Sequence, residues 1–147
     1  MERPVKRQAR SYWCGVASIA NALEVLGIRR SQREVERLCH VSPEAGTDEV
    51  EMKRALLANG MAVDEWSSKD LDDTIDWLTR HLASAGPAVL CVDDWEHWVT
   101  AIGLCGDAIV LYDPSRNHGV EVHTAQSLAH RWASEGIYYG IGLSSRS

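Results

Sequence analysis

At 147 residues the chain has the length of one ordinary domain and is too short for two separately cored ones. Hydrophobic residues at 45% against charged residues at 24% mark a folded chain rather than a disordered one. The net charge of −6 argues against wholesale binding to nucleic-acid phosphates, which needs a basic face.

In chain order, the first half reads as helices. From Cys14, the residues Val16, Ile19, Ala20, Leu23 and Leu26 fall on one apolar stripe that ends at Gly27. Ser31 and Glu34 form a capping box that opens a short charged helix through Leu38. Thr47, followed by Asp48 and Glu49, reads as the N-cap of a third helix that passes Met52, Ala55 and Leu56 and stops near Asn59-Gly60. A fourth helix carries Leu71, Ile75, Leu78 and Leu82 on one face and a solvated row of Asp72, Asp73 and Asp76 on the other. It ends at Gly86-Pro87, and His81 is expected on its surface.

The period then changes. Ala88 to Val92 is a continuous apolar run that suits a buried strand. Trp98 to Leu104 and Ala108 to Tyr112 read as strands joined by a Gly106-Asp107 hairpin turn. Val120 to Val122 and Ile137 to Leu143 follow as strands, with a helix from Thr124 to Trp132 between them. Helices first and antiparallel strands after define an α+β arrangement in a single domain over residues 1–147.

No apolar run approaches the ~20 residues needed to span a bilayer, so no membrane insertion is expected. The start, MERPVKRQARSYW, lacks the apolar stretch of a secretory signal, and a cytoplasmic, reducing compartment is the expectation. The four cysteines show no CxxC pairing. Cys39 with His40 lacks zinc-knuckle spacing, and no Gly-rich phosphate loop appears, so neither a metal nor a cofactor is predicted.

The segment QARSYWCGVASIANALEVLG carries the chemistry. Cys14 sits where loop becomes helix, and the unpaired N–H groups and positive dipole end there favour the nucleophilic thiolate. Gly15 keeps bulk away from an incoming carbonyl. Gln8, six residues before Cys14, offers a neutral amide donor to a developing oxyanion, with the Cys14 N–H as the second donor. A thiol nucleophile needs a base, and the base needs an orienting group. His97 opens one strand and Asp113 closes the next, so the hairpin between them brings the imidazole and the carboxylate together. Pro114 then ends the strand. Asp93 and Asp94 read as solvated loop carboxylates, and Cys91 and Cys105 as inert packing residues. Trp13, Gly15, Trp95 and Trp98 are the candidate substrate-binding residues, with the two strand-side tryptophans bracketing His97.

Gln8, Cys14-Gly15 at a helix start, His97 opening a strand and Asp113-Pro114 closing the next resemble the papain-like cysteine peptidases. Within them the pattern is most similar to the C39-like group, which includes the bacteriocin-leader peptidases. The segment GTDEVEMKRALLANGM also resembles that group, so the likeness extends over nearly the whole chain. The resemblance implies a papain-like fold of N-terminal helices packed on a C-terminal antiparallel sheet. It implies Cys14 as nucleophile, His97 as general base and acid, Asp113 as orienter and Gln8 as oxyanion donor, acting on a peptide or amide substrate. Leader peptidases of the group usually form the front of a membrane ABC transporter, and their nucleophile often follows an acidic residue, where this chain has Trp13. The run SYWCGVASIANAL also looks like the nucleophile segment of phytochelatin synthases, which implies acyl transfer as an alternative to hydrolysis. A deamidase would show the same residues. A peptide-binding module that kept the fold without the chemistry is a further alternative, against which the intact set of four residues speaks.

Overall fold

The structure, a computed structural model, describes residues 8–39, 41, 46–115 and 119–145. Its centre is a six-stranded antiparallel sheet, in the order β1-β6-β2-β3-β4-β5. The strands are β1 (Met61–Ser68), β2 (Ala88–Val92), β3 (His97–Cys105), β4 (Ala108–Tyr112), β5 (Val120–His123) and β6 (Tyr138–Ser145). The helices are α1 (Cys14–Val25), α2 (Gln32–Glu36), α3 (Glu49–Ala58), α4 (Leu71–Ser84) and α5 (Ala125–Trp132). None of them is long and apolar enough to cross a membrane.

Strand β2 shows how the core is divided. Val89 and Cys91 join a cluster with Ile19, Leu23, Met52 and Ile141, beneath α1 and α3. Ala88, Leu90 and Val92 join a second cluster with Leu78, Leu111, Leu128 and Trp132, beneath α4 and α5. Side chains alternate across a strand, so a sheet covered on both faces produces an unbroken apolar run, as Ala88 to Val92 does. The expected packing of N-terminal helices on the sheet holds for α1 and α3, while α4 and α5 cover the opposite face.

Four sequence expectations need correction. Strand β1 lies within the half read as helical. It is an edge strand paired only to β6, so Asp64 and Glu65 can point to solvent and interrupt the apolar alternation that would have announced it. The N-cap of α3 is Asp48 rather than Thr47. The Asp48 carboxylate accepts from the Glu51 N–H at 2.9 Å, whereas Thr47 is buried against Gly15. His81 is buried rather than on the surface, with Nε2 3.0 Å from the Pro87 carbonyl and 3.1 Å from the Leu143 carbonyl. Cys105, read as a packing residue, is exposed at the β3–β4 turn.

Two buried hydrogen bonds fix α1 on β3. The Ser18 hydroxyl donates to the Trp98 carbonyl at 3.0 Å, and the Thr100 hydroxyl donates to the Ser18 carbonyl at 2.7 Å. Ser18 lies one helical turn after Cys14, and Trp98 follows His97 directly, so this pair sets the separation of sulfur and imidazole. At about 1 kcal/mol per buried bond, the double variant Ser18→Ala/Thr100→Val is expected to lose about 2 kcal/mol in urea unfolding, with an unchanged m-value.

Candidate active site

Cys14 is the first residue of α1 and is 8% exposed. The N-cap, Trp13, contributes no side-chain hydrogen bond, so the first-turn N–H groups receive no cap and stay directed at the sulfur's surroundings. The Trp13 ring is buried, with the Arg10 guanidinium 5.4 Å from its centroid. Gly15 answers a packing need. A Cβ there would lie 2.9 Å from the Met52 sulfur and 3.0 Å from the Thr47 Cβ, so only glycine lets α1 approach the start of α3 this closely. The space that Gly15 leaves is therefore filled by the protein and not open to a substrate carbonyl.

Opposite Cys14 stands the start of β3. The β3–β4 hairpin carries a register shift between Ala101 and Gly103, beyond which Thr100 pairs with Tyr112. His97 and Asp113 then meet across the end of the hairpin, with Nε2 of the ring 2.8 Å from Oδ1 of the carboxylate. Since Nε2 is engaged by Asp113, Nδ1 is the nitrogen left for the Cys14 sulfur, whose side chain also acts on the ring's pKa. Burial alone would lower the His97 pKa. The hydrogen bonds to Asp113 and Cys14 and their negative charges outweigh it and raise the value to about 9.

Asp113 has no exposed surface. The Ser115 N–H and hydroxyl donate to Oδ1 at 2.9 and 2.7 Å, and Arg131 donates to Oδ2 at 2.5 Å. Burial would raise the carboxyl pKa, but the His97, Ser115 and Arg131 bonds hold it well below the usual carboxylate range. Arg131 also forks onto Asp93 at 3.1 and 3.2 Å and reaches Glu121 at 3.2 Å. Asp93 is thus both solvated, as expected, and part of the network, and the Asp94 carboxylate accepts from the Glu135 N–H at 3.1 Å. Arg131 left no signal in the sequence, because it enters from α5, eighteen positions beyond Asp113. Ser115 did leave one, since Asp-Pro-Ser is an Asx-turn sequence.

Gln8 lies beside the pair. Its backbone N–H donates to the Pro114 carbonyl at 2.9 Å, which ties the segment before Cys14 to the end of β4. Its side-chain Nε2 donates to the carbonyls of Arg10 and Ser11 at 3.1 and 2.8 Å, and Oε1 is buried without a partner among the described residues. The amide is therefore turned inward to its own loop.

The link from β2 to β3 takes three consecutive non-glycine residues through the left-handed region: Asp93 (φ 54°), Asp94 (φ 60°) and Trp95 (φ 71°). It is braced by the Asp93 N–H on the Arg131 carbonyl at 3.0 Å and the Trp95 N–H on the Ser134 hydroxyl at 2.9 Å. The turn holds Trp95 out at 40% exposure, over Tyr139. Trp98 is buried, and its indole N–H donates to the Thr47 carbonyl at 2.9 Å. Trp95 and Trp98 line one cavity of about 380 Å³, whereas Trp13 borders a separate hollow beside Arg10 and Gln32. Burial pushes the other enclosed thiols up, to about 11 for Cys39 and about 12 for Cys91. His40 lies outside the described residues.

An antiparallel sheet with helices on both faces, α1 opening at Cys14, is the papain-like cysteine peptidase fold. The chain belongs to the Peptidase_C39 like family, which matches residues 2–139. Among solved structures it is similar to a double glycine motif protease from an AMS/PCAT transporter, determined in complex with the leader peptide. The two share 19% identity at a TM-score of 0.75, over 99% of this chain and 93% of that one. It is also similar to the peptidase domain of Streptococcus ComA, described as a bi-functional ABC transporter involved in quorum sensing. That match has 18% identity and a TM-score of 0.74, over 99% and 100% of the two chains. No curated protein sequence matches it significantly.

Two outcomes follow from the buried charges. Arg131→Met leaves Asp113 with one cationic neighbour fewer in a closed site and should cost about 3 kcal/mol in urea unfolding. Asp93→Asn, at the exposed end of the same network, should cost under about 1 kcal/mol. For His97 the folded pKa is raised, so its contribution to stability is complete below the unfolded value of about 6.5 and is lost as pH climbs through 9. The stability difference between wild type and His97→Gln should therefore shrink across that window, by up to about 1.4 kcal/mol per pH unit.

Proposed function

We propose that this protein is a cysteine peptidase or amide hydrolase that works through a thioester on Cys14, with His97 as general base and then acid and Asp113 as the orienting carboxylate. The observation that carries the reading is the His97 ring, bound through Nε2 to a fully buried Asp113 at 2.8 Å, with Cys14 near enough to help raise its pKa. Family membership supports peptide-bond chemistry, and the leader peptide bound by the structural neighbour supports an extended peptide as substrate.

The thiol proton resides on His97 Nδ1 as the sulfur attacks the scissile carbonyl carbon. Charge then develops on the carbonyl oxygen, close to the uncapped first turn of α1, where the Cys14 N–H donates to it. Gln8 supplies the second donor when one of its Nε2 bonds exchanges from a loop carbonyl to the substrate oxygen. The partnerless Oε1 supports this, since the resting position already leaves the amide half satisfied. Collapse of the intermediate breaks the C–N bond, and the departing amine takes the proton from His97. Water then adds to the thioester carbon, giving its proton to His97, which returns it to the sulfur as the acid leaves.

The test combines labelling and turnover. Iodoacetamide should modify Cys14 ahead of Cys39 and Cys91, and His97→Ala should slow that reaction about tenfold or more. Mass spectrometry of wild type with a synthetic peptide pool should find acyl adducts on Cys14 and cleaved products, both absent from Cys14→Ala. Gln8→Ala should keep labelling intact while slowing turnover about 100-fold. Labelling as fast in His97→Ala as in wild type would overturn the pairing. Fast labelling with no product from any peptide would leave a binding module.

A further inference from the structure

The sheet face toward α1 presents three side chains in a row. Cys91 pairs with Trp98 on one side and Tyr139 on the other. These form the floor of the 380 Å³ cavity, and the ring of Trp95 closes it from the strained β2–β3 turn. The Tyr139 ring stands 6.2 Å from both indoles, edge-on to Trp98 and tilted to Trp95. Two of these rings are held by their polar ends, Trp98 through Thr47 and Tyr139 through a bond from its hydroxyl to Glu65. Their polar groups are thereby spent, and what they offer the cavity is aromatic surface.

The remaining wall is acidic. Asp48 and Glu49, both exposed, border the cavity at the start of α3. The helix terminus itself attracts anions with about half a positive charge, but two full carboxylate charges at the same place reverse its sign. Lys53, the cation on this side, is paired with Glu65 at 2.9 Å. Two wall groups report the resulting field. Burial raises the Cys91 thiol, with the negative charges of Cys14, Glu49 and Asp93 adding to it. Burial also raises the Tyr139 hydroxyl, with Glu65 and Glu49 adding. Thr47, 4% exposed, also lines the space, and its buried hydroxyl has no partner among the described residues.

Aromatic faces opposed by carboxylates are the surroundings that stabilise an alkylammonium or guanidinium group outside water. We infer that this cavity, whose wall residues Trp98 and Cys91 adjoin His97 in the chain and Cys14 in space, is a subsite for a cationic side chain, Lys or Arg, of the peptide being processed. The assignment rests on the reading of the protein as a peptidase for its role in turnover, though not for the binding itself. It would favour peptides with a basic residue at the position this cavity holds.

The experiment uses Cys14→Ala, which binds without turnover, and acetylated hexapeptide amides of alanine and glycine carrying one Lys, Arg, norleucine or Glu. Binding is followed by NMR at the indole N–H signals of Trp95 and Trp98. The Lys and Arg peptides should shift both signals with a Kd about tenfold below that of the norleucine peptide. The preference should shrink at 500 mM salt and again, by several-fold, when Asp48→Asn and Glu49→Gln are added. Asn remains a good N-cap, so the fold is kept, and an unchanged unfolding curve would show it. Equal Kd values for Lys and norleucine, or a preference left undiminished by the two charge-removing changes, would overturn the subsite. Wild type cleaving the norleucine and Lys peptides equally well would do the same and leave the peptidase reading standing. Lys-selective binding without cleavage by wild type would remove the peptidase reading and leave the subsite.

Discussion

The mutual grip of Ser18 and the Trp98–Thr100 segment is the contact on which the rest turns. A helix and a strand eighty residues apart in the chain are bound hydroxyl to carbonyl in both directions, inside a region that water does not reach. Apolar packing holds α1 against the sheet but allows it to slide, because dispersion and burial have little directionality. Hydrogen bonds do not share that tolerance. One turn upstream is the Cys14 sulfur and one residue upstream is the His97 imidazole, so the register that satisfies these bonds also sets the separation of those two groups.

Behind the imidazole, charge is arranged in depth. Asp113 is a single buried carboxylate divided between His97 on one oxygen and Arg131 on the other, with Ser115 filling the remaining acceptor sites. A buried anion with no partner would cost several kcal/mol. Sharing it makes its burial tolerable and, through the α5 guanidinium, anchors Asp113 to a second layer of the fold. Asp93 closes the circuit by pairing with the same arginine and by opening the turn that leads into His97. The positive-φ backbone of Asp93, Asp94 and Trp95 persists because Arg131, Ser134 and Glu135 each hold one of its polar groups. Strain in that turn, the charge network and the exposed ring of Trp95 are consequently parts of one device.

Elements defined by a local pattern were legible. The stripe from Val16 to Leu26, the Ser31–Glu34 capping box and the Gly106-Asp107 turn each involve residues within a few positions of one another, where helix and hairpin physics act. Strand β1 was not legible, because an edge strand with one paired side and one wet side has no need of a continuous apolar face. His81 was misread for a related reason. A histidine on a helix resembles a surface residue until Gly142 leaves room for its ring and two distant carbonyls accept from it.

By itself the sequence determined which side chains have the chemistry for the site: the thiol at a helix start, the imidazole and carboxylate at opposite ends of a hairpin, and the tryptophans around them. Tertiary structure alone decided that Gly15 makes room for α3, that the Gln8 amide turns back to its loop, that Arg131 backs Asp113, and that Asp48 and Glu49 face an aromatic cavity. The physical reason is range. Propensity, periodicity and turn chemistry act over a handful of residues, whereas a buried charge takes whatever partner the packing of distant layers brings within 3 Å.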